Sequence, residues 1–169
     1  METTQKGYLG YLMVTQLVDN SHNALLSDQT LQSTLCKIMR TLVRHPFAAV
    51  MFEPEIWISV TNQCGVWLQS PFHSPVFFHS LKLFRSLHTT ESCRSSAQSQ
   101  LVHCTKQLLG RFFLLTRSHL SEPLGPTESS AVGEMAKVIA LNFDAADPNQ
   151  FFDSIAEVCC MSMSLFDRF

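Results

Sequence analysis

Ser27-Asp28-Gln29-Thr30-Leu31-Gln32-Ser33-Thr34-Leu35-Cys36-Lys37-Ile38-Met39-Arg40-Thr41-Leu42-Val43-Arg44-His45-Pro46 carries a helical period from end to end. Its apolar positions, Leu31, Leu35, Ile38, Met39, Leu42 and Val43, recur at intervals of three and four, which gathers them on one helix face. Ser27 or Asp28 supplies an N-cap. Pro46 closes the segment, because the residue before a proline is pushed away from helical geometry. Lys37, Arg40, Arg44 and His45 collect toward the expected C-terminus, where cations complement the helix dipole.

The same punctuation recurs on both sides. Pro46 precedes Phe47–Phe52, Pro54 precedes Glu55-Ile56-Trp57-Ile58, Pro75 precedes Val76-Phe77-Phe78, and Pro148 precedes Asn149-Gln150-Phe151-Phe152. Proline suits a first helical turn, where its fixed φ is already helical and its missing N–H would have no partner. The pattern predicts a first helix over residues 8–18, a turn at 19–23, the helix quoted above, and a short helix through Met51. A longer one follows from Glu53-Pro54 with Ile56, Trp57, Val60, Cys64, Trp67 and Leu68, with Gly65 bending or shortening its last turn. Ser74-Pro75 opens the next, with Phe77, Leu81, Phe84 and Leu87 on one face. Thr89 to Ser96 is a polar spacer before a long helix over 97–119. Residues 121–130 read as a flexible loop, followed by a helix over 132–142 and a last one from Asp147-Pro148 through Leu165. The fold class is all-α: helical hairpins stacked in an armadillo- or HEAT-like segment, or an irregular helical bundle.

Composition limits the function classes. The chain has 169 residues, enough for one helical domain with a real core. Hydrophobic residues make up 46% and charged residues 15%, so extensive disorder is excluded and some surface is expected to be covered by neighbouring protein. Net charge is −2 with no basic stripe, which argues against a nucleic-acid partner. No apolar run approaches a membrane span. Six cysteines without a C-x-x-C pair, and no secretory leader, point to a reducing compartment, the cytoplasm. Amphipathic pattern reaches close to both ends, as expected of a segment of a larger protein.

Catalytic and metal chemistry find little footing. His79, His88, Cys93, His103 and Cys104 are near one another in sequence but lack the close ligand pairs of a zinc site. Cys93, beside Arg94 in the polar spacer, is the most exposed nucleophile candidate, yet no base or orienting group accompanies it. Glu53 with Glu55, and Asp144 with Asp147, flank proline starts, where acids meet the helix dipole. Phosphate-loop, dinucleotide and hydrolase motifs are absent, and no cofactor is implied. Aromatic residues stand out more: Trp57 and Trp67 on one expected helix, and the doublets Phe77-Phe78, Phe112-Phe113 and Phe151-Phe152. The two rings of a helical doublet diverge by about 100°. Trp57, Trp67, Phe78 and Phe113 are therefore the candidate partner-binding residues, with inter-helix packing as their ordinary alternative.

Thr41-Leu42-Val43-Arg44-His45-Pro46-Phe47-Ala48-Ala49, continuing into Phe52-Glu53-Pro54-Glu55-Ile56-Trp57, resembles the helical middle region of the giant ubiquitin-conjugating enzymes that carry baculoviral inhibitor-of-apoptosis repeats. That resemblance covers about a tenth of the chain. It implies a scaffold within a ubiquitin-transfer assembly that captures caspases, with protein partners or neighbouring domains of the same chain around it. The family's conjugating cysteine and zinc-bearing repeat match no position here. Three functions stay open: a helical scaffold, a self-contained adaptor holding a partner helix in an aromatic groove, and a cysteine-dependent enzyme using Cys93 or Cys104.

Overall fold

The computed structural model describes residue 16 and residues 28–118 and 125–143. These residues are all-α, with no strand among them. The expected helices over 8–18 (except Gln16, which is helical) and from Asp147 to Leu165 lie outside the described residues, as does the Pro148 start. The chain divides into two compact units, Met1–Leu101 and Val102–Phe169.

In the first unit, α1 (Gln29–Val43) is capped by Asp28, whose carboxylate accepts from the N–H groups of Thr30 at 2.9 Å and Leu31 at 3.2 Å. Two otherwise unpaired donors are satisfied in this way, an arrangement worth about 0.5–2 kcal/mol. Leu35, Cys36, Met39 and Val43 are buried, together with Gln32 and Ser33. Ile38, expected in the apolar stripe, is 41% exposed. The helix is rotated so that Cys36 takes the inner position and Ile38 the outer one.

A turn through Arg44–Phe47 leads into α2 (Ala48–Met51), with Pro46 two residues ahead of the helix. In α3 (Pro54–Trp67) and α4 (Pro75–Thr89) the prolines occupy the first turn as the sequence predicts. Ser74 caps α4 through its hydroxyl, which accepts from Val76 N–H at 3.2 Å. Gly65 is buried and does not break α3, which continues to Trp67.

The core organises around α4, which packs against α1, α3 and the short helix α5 (Glu91–Ser96). Val76, Phe77, Leu81, Leu83, Phe84 and Leu87 are buried, and at about 100° per residue they share an arc of just under half of its circumference. Each such side chain contributes about 1.5–3 kcal/mol of burial. The buried hydroxyl of Ser80 donates to Phe77 O at 2.7 Å, so it brings no unpaired polar group inside.

The polar spacer expected at Thr89–Ser96 is instead α5. Thr90 ends α4 and begins α5, and its hydroxyl donates back to Ser86 O at 2.9 Å. The segment reads as polar because only Cys93 of the helix is buried. A six-residue helix is too short to display a period.

The division between units falls within α6 (Gln98–Ser118). In the second unit, Leu109 of α6 and Ile139 of α7 (Pro126–Phe143) form an apolar cluster, with Phe112 and Phe113 packed on it. Ala131, Met135, Val138 and Ile139 bury one face of α7. This helix starts six residues before the sequence predicts, so residues 126–130 of the expected loop are helical; residues 121–124 are outside the described set. Gly-Pro read as a loop signal, but Pro126 holds the first helical position and Glu128 accepts from Gly125 N–H at 3.1 Å. That bond is the returning half of a capping box.

Candidate functional site

The cysteines are placed for packing. Cys36, Cys64, Cys93 and Cys104 are free and buried. Cys93, expected to be exposed in a polar loop, has no accessible surface, and its sulfur sits 3.7 Å from the Thr61 hydroxyl. Burial pushes its thiol up to about 11 against the smaller opposing effect of Thr61, and burial likewise pushes Cys104 up to about 11. Cys36 is raised further by burial alone. Thiols in such surroundings hold their protons at neutral pH and are poor nucleophiles. Among the described residues no three His, Cys, Asp or Glu side chains gather as a metal ion requires.

Of the four aromatic candidates, the two tryptophans are buried and the two phenylalanines half-buried. Trp57 and Trp67 are 1% and 3% exposed in the core of the first unit. The Trp57 ring lies 4.9 Å from that of Phe52, centroid to centroid. Phe78 is half-buried on α4, and Phe113 is half-buried in the apolar cluster of the second unit.

A different set of residues forms a concave surface. Lys37, Arg40, Thr41, Arg44, His45, Pro46 and His79 line an open cleft of about 560 Å³. Lys37, Arg40, Thr41 and Arg44 fall at i, i+3, i+4 and i+7, and therefore on one face of α1. His79 comes from α4, brought to this face by the α1–α4 packing. Its imidazole is pushed to lower pKa by burial first, then by the charges of Lys37, Lys82 and Arg40. Among the described residues, the charges that shift it are all positive. None of these cations forms an ion pair with a described carboxylate.

Arg40 is half-buried, and its Nε is buried with no hydrogen-bond partner among the described residues. The Thr41 hydroxyl donates to Lys37 O at 3.0 Å, so its proton is already committed. Donors to a guest in the cleft therefore come from the cationic side chains.

The edge beyond Pro46 is apolar. Phe47 and Val50 are 62% and 78% exposed. The His45 and Phe47 rings lie 5.3 Å apart at 31°, and Phe47 N–H donates to His45 Nδ1 at 3.3 Å. With Nδ1 accepting, the neutral imidazole carries its proton on Nε2.

Sequence reasoning found Lys37, Arg40, Arg44 and His45 but assigned them to the helix dipole, weighed His79 only as a zinc ligand, and did not single out Phe47 and Val50 as surface residues. The signal for His79 was never local, since it joins the others only through the packing of α1 on α4. No protein family, curated protein or solved structure matches this chain.

Proposed function

We propose that this chain is a helical scaffold segment whose surface engages protein partners or neighbouring domains of a longer polypeptide, its helices stacked as armadillo- or HEAT-like hairpins. The observation that carries the reading is the exposed apolar pair Phe47 and Val50 beside a cationic concavity. Isolated exposed apolar residues are ordinary. Apolar surface next to arginine in a concave setting is how interaction surfaces are composed. The buried, proton-holding cysteines also favour a binding role over thiol catalysis. The resemblance of the stretch from Thr41 to Trp57 extends the proposal to a cytoplasmic support within a ubiquitin-transfer assembly, with no conjugating or zinc-binding residue assigned to this chain.

The test is site-specific photo-crosslinking of the full chain in cells, with a benzophenone side chain at Phe47 and a control at exposed Ser99. Discrete crosslinked species from position 47, lost when Val50→Lys is added, are the expected result. Position 47 giving none, or the same species as position 99, would overturn the reading.

A further inference from the structure

We infer that the cleft between the C-terminal half of α1 and His79 of α4 is an oxyanion site that takes the phosphate monoester of a phosphorylated serine or threonine on a partner polypeptide. The peptide part rests on the partner-binding reading above, whereas the oxyanion part stands independently of it.

The ordinary account of the basic residues is the helix dipole, and it is incomplete. Dipole stabilisation fades within the last turn. It covers Arg40 and Arg44, near the end of α1 at Val43. Lys37 lies beyond its reach, and His79 and Lys82 belong to another helix. Like charges at i, i+4, as at Arg40 and Arg44, oppose helix formation when nothing offsets them. Here Lys37, Arg40, Arg44 and His79 line one cleft without a described carboxylate.

Arg40 supplies the more specific observation. Its Nε is enclosed without a hydrogen-bond partner among the described residues, while the half-buried side chain lines the cleft. Guanidinium geometry matches phosphate oxygens two at a time. A phosphate monoester carries about −1.5 to −2 charge and three acceptor oxygens. The cleft has donors for such a group on Lys37, Arg40 and Arg44, with His79 beside them. A carboxylate brings one charge and would leave more of the set uncompensated.

The cleft volume of about 560 Å³ exceeds a bare phosphate, which leaves space for the chain that bears it. Pro46 lines the cleft, and Phe47 and Val50 continue beyond it as exposed apolar surface. A phosphorylated residue followed closely by an apolar side chain matches this order of cationic floor and apolar edge. A lipid headgroup would present many charges in a plane instead.

The experiment uses the full chain and three probes. Inorganic phosphate is titrated at constant ionic strength, with chloride as reference, while the histidine resonances are followed by NMR. The expected result is a saturable shift at His79 with a rise in its pKa, competed by sulfate and absent with chloride. Lys37→Gln with Arg44→Gln, both at exposed positions, should weaken binding at least tenfold at an unchanged unfolding midpoint. A short phosphoserine peptide with a nearby leucine should bind at least tenfold tighter than inorganic phosphate. Val50→Ser should weaken the peptide and leave phosphate unaffected.

No saturable response to phosphate, or no effect of the double substitution, would overturn the oxyanion site while leaving the crosslinking result at Phe47 to stand or fall separately. Phosphate binding without tighter peptide binding, or stronger binding to vesicles bearing phosphomonoester headgroups, would overturn the peptide as occupant.

Discussion

Acidification should destabilise the first unit through one side chain, His88. Its ring is 8% exposed in the last turn of α4 and stands edge-on to Phe84, with centroids 4.7 Å apart at 79°. Burial, and secondarily the charge of Arg94, lowers its pKa from 6.5 to about 4. The sign follows from which state takes the proton more readily. Below pH 6.5 the unfolded chain protonates His88 while the folded chain holds it neutral. Stability is therefore fully present above pH 6.5, declines as pH falls from 6.5 toward 4, and levels off below that. At about 1.4 kcal/mol per pH unit, the whole window is worth about 3 kcal/mol, and the part between pH 7.5 and 5.0 about 2 kcal/mol. Against a total stability of about 5–15 kcal/mol, that is a large share. Urea unfolding followed by tryptophan fluorescence reads it directly, since Trp57 and Trp67 are both buried in this unit. A loss of about 2 kcal/mol moves the midpoint by about 1 M. Other histidines also titrate here, so the comparison is with His88→Phe, which should lose about 2 kcal/mol less over the same interval. Equal pH slopes in the two proteins would refute the reasoning, because they would mean that His88 is equally protonatable folded and unfolded.

Gln63 is 1% exposed and neither its Nε2 nor its Oε1 has a hydrogen-bond partner, so Gln63→Met, close in volume, should stabilise by about 1–3 kcal/mol in denaturant unfolding. A fall in stability would show that the amide is bonded, directly or through water. Trp57→Ala removes a fully buried ring packed at a tilt against Phe52 and should cost about 3–5 kcal/mol in the same assay. An unchanged midpoint would remove Trp57 from the core. Cys36, Cys93 and Cys104 should resist a thiol-reactive probe at pH 7.5 until urea is added, with labelling mapped by mass spectrometry. Fast labelling of Cys93 in the native protein would contradict its burial.

Much of the fold was legible because its signals are local. Pro54 and Pro75 mark first turns through their own fixed φ, and Asp28 and Ser74 cap helices through side chains two or three residues from their targets. The start at Pro126 was legible by the same rule but obscured by the preceding Gly125, which serves as the entry to a cap and not as a break. Helix α5 was hidden because six residues cannot show a period, and its one buried side chain is held by a contact with Thr61, 32 positions away. The site was less legible than the fold. The sequence gathered Lys37, Arg40 and Arg44 near a helix end, but whether their face is open or covered depends on which helix packs beside it. Exposure at Phe47 and Val50 likewise depends on how a four-residue helix is held between two longer ones.

The basic cleft and the apolar core are two sides of one contact. Met39 and Val43 bury one side of α1, and Phe77 and Leu81 are buried on α4, which packs against α1. Arg40 and Arg44, one position along, and His79, two positions from both Phe77 and Leu81, reach the margin because a helix turns by about 100° per residue. Arg40 stands at that margin: half-buried, with its stem available to cover apolar surface and its Nε enclosed. Packing therefore holds the cations together against their mutual repulsion, and it does so before any guest arrives. Such preorganisation is what allows a small number of charges to bind an anion without the entropic cost of collecting them. It also explains why a chain with a net charge of −2 presents a locally positive surface: the sum over the sequence is silent about which residues the α1–α4 contact brings into one place.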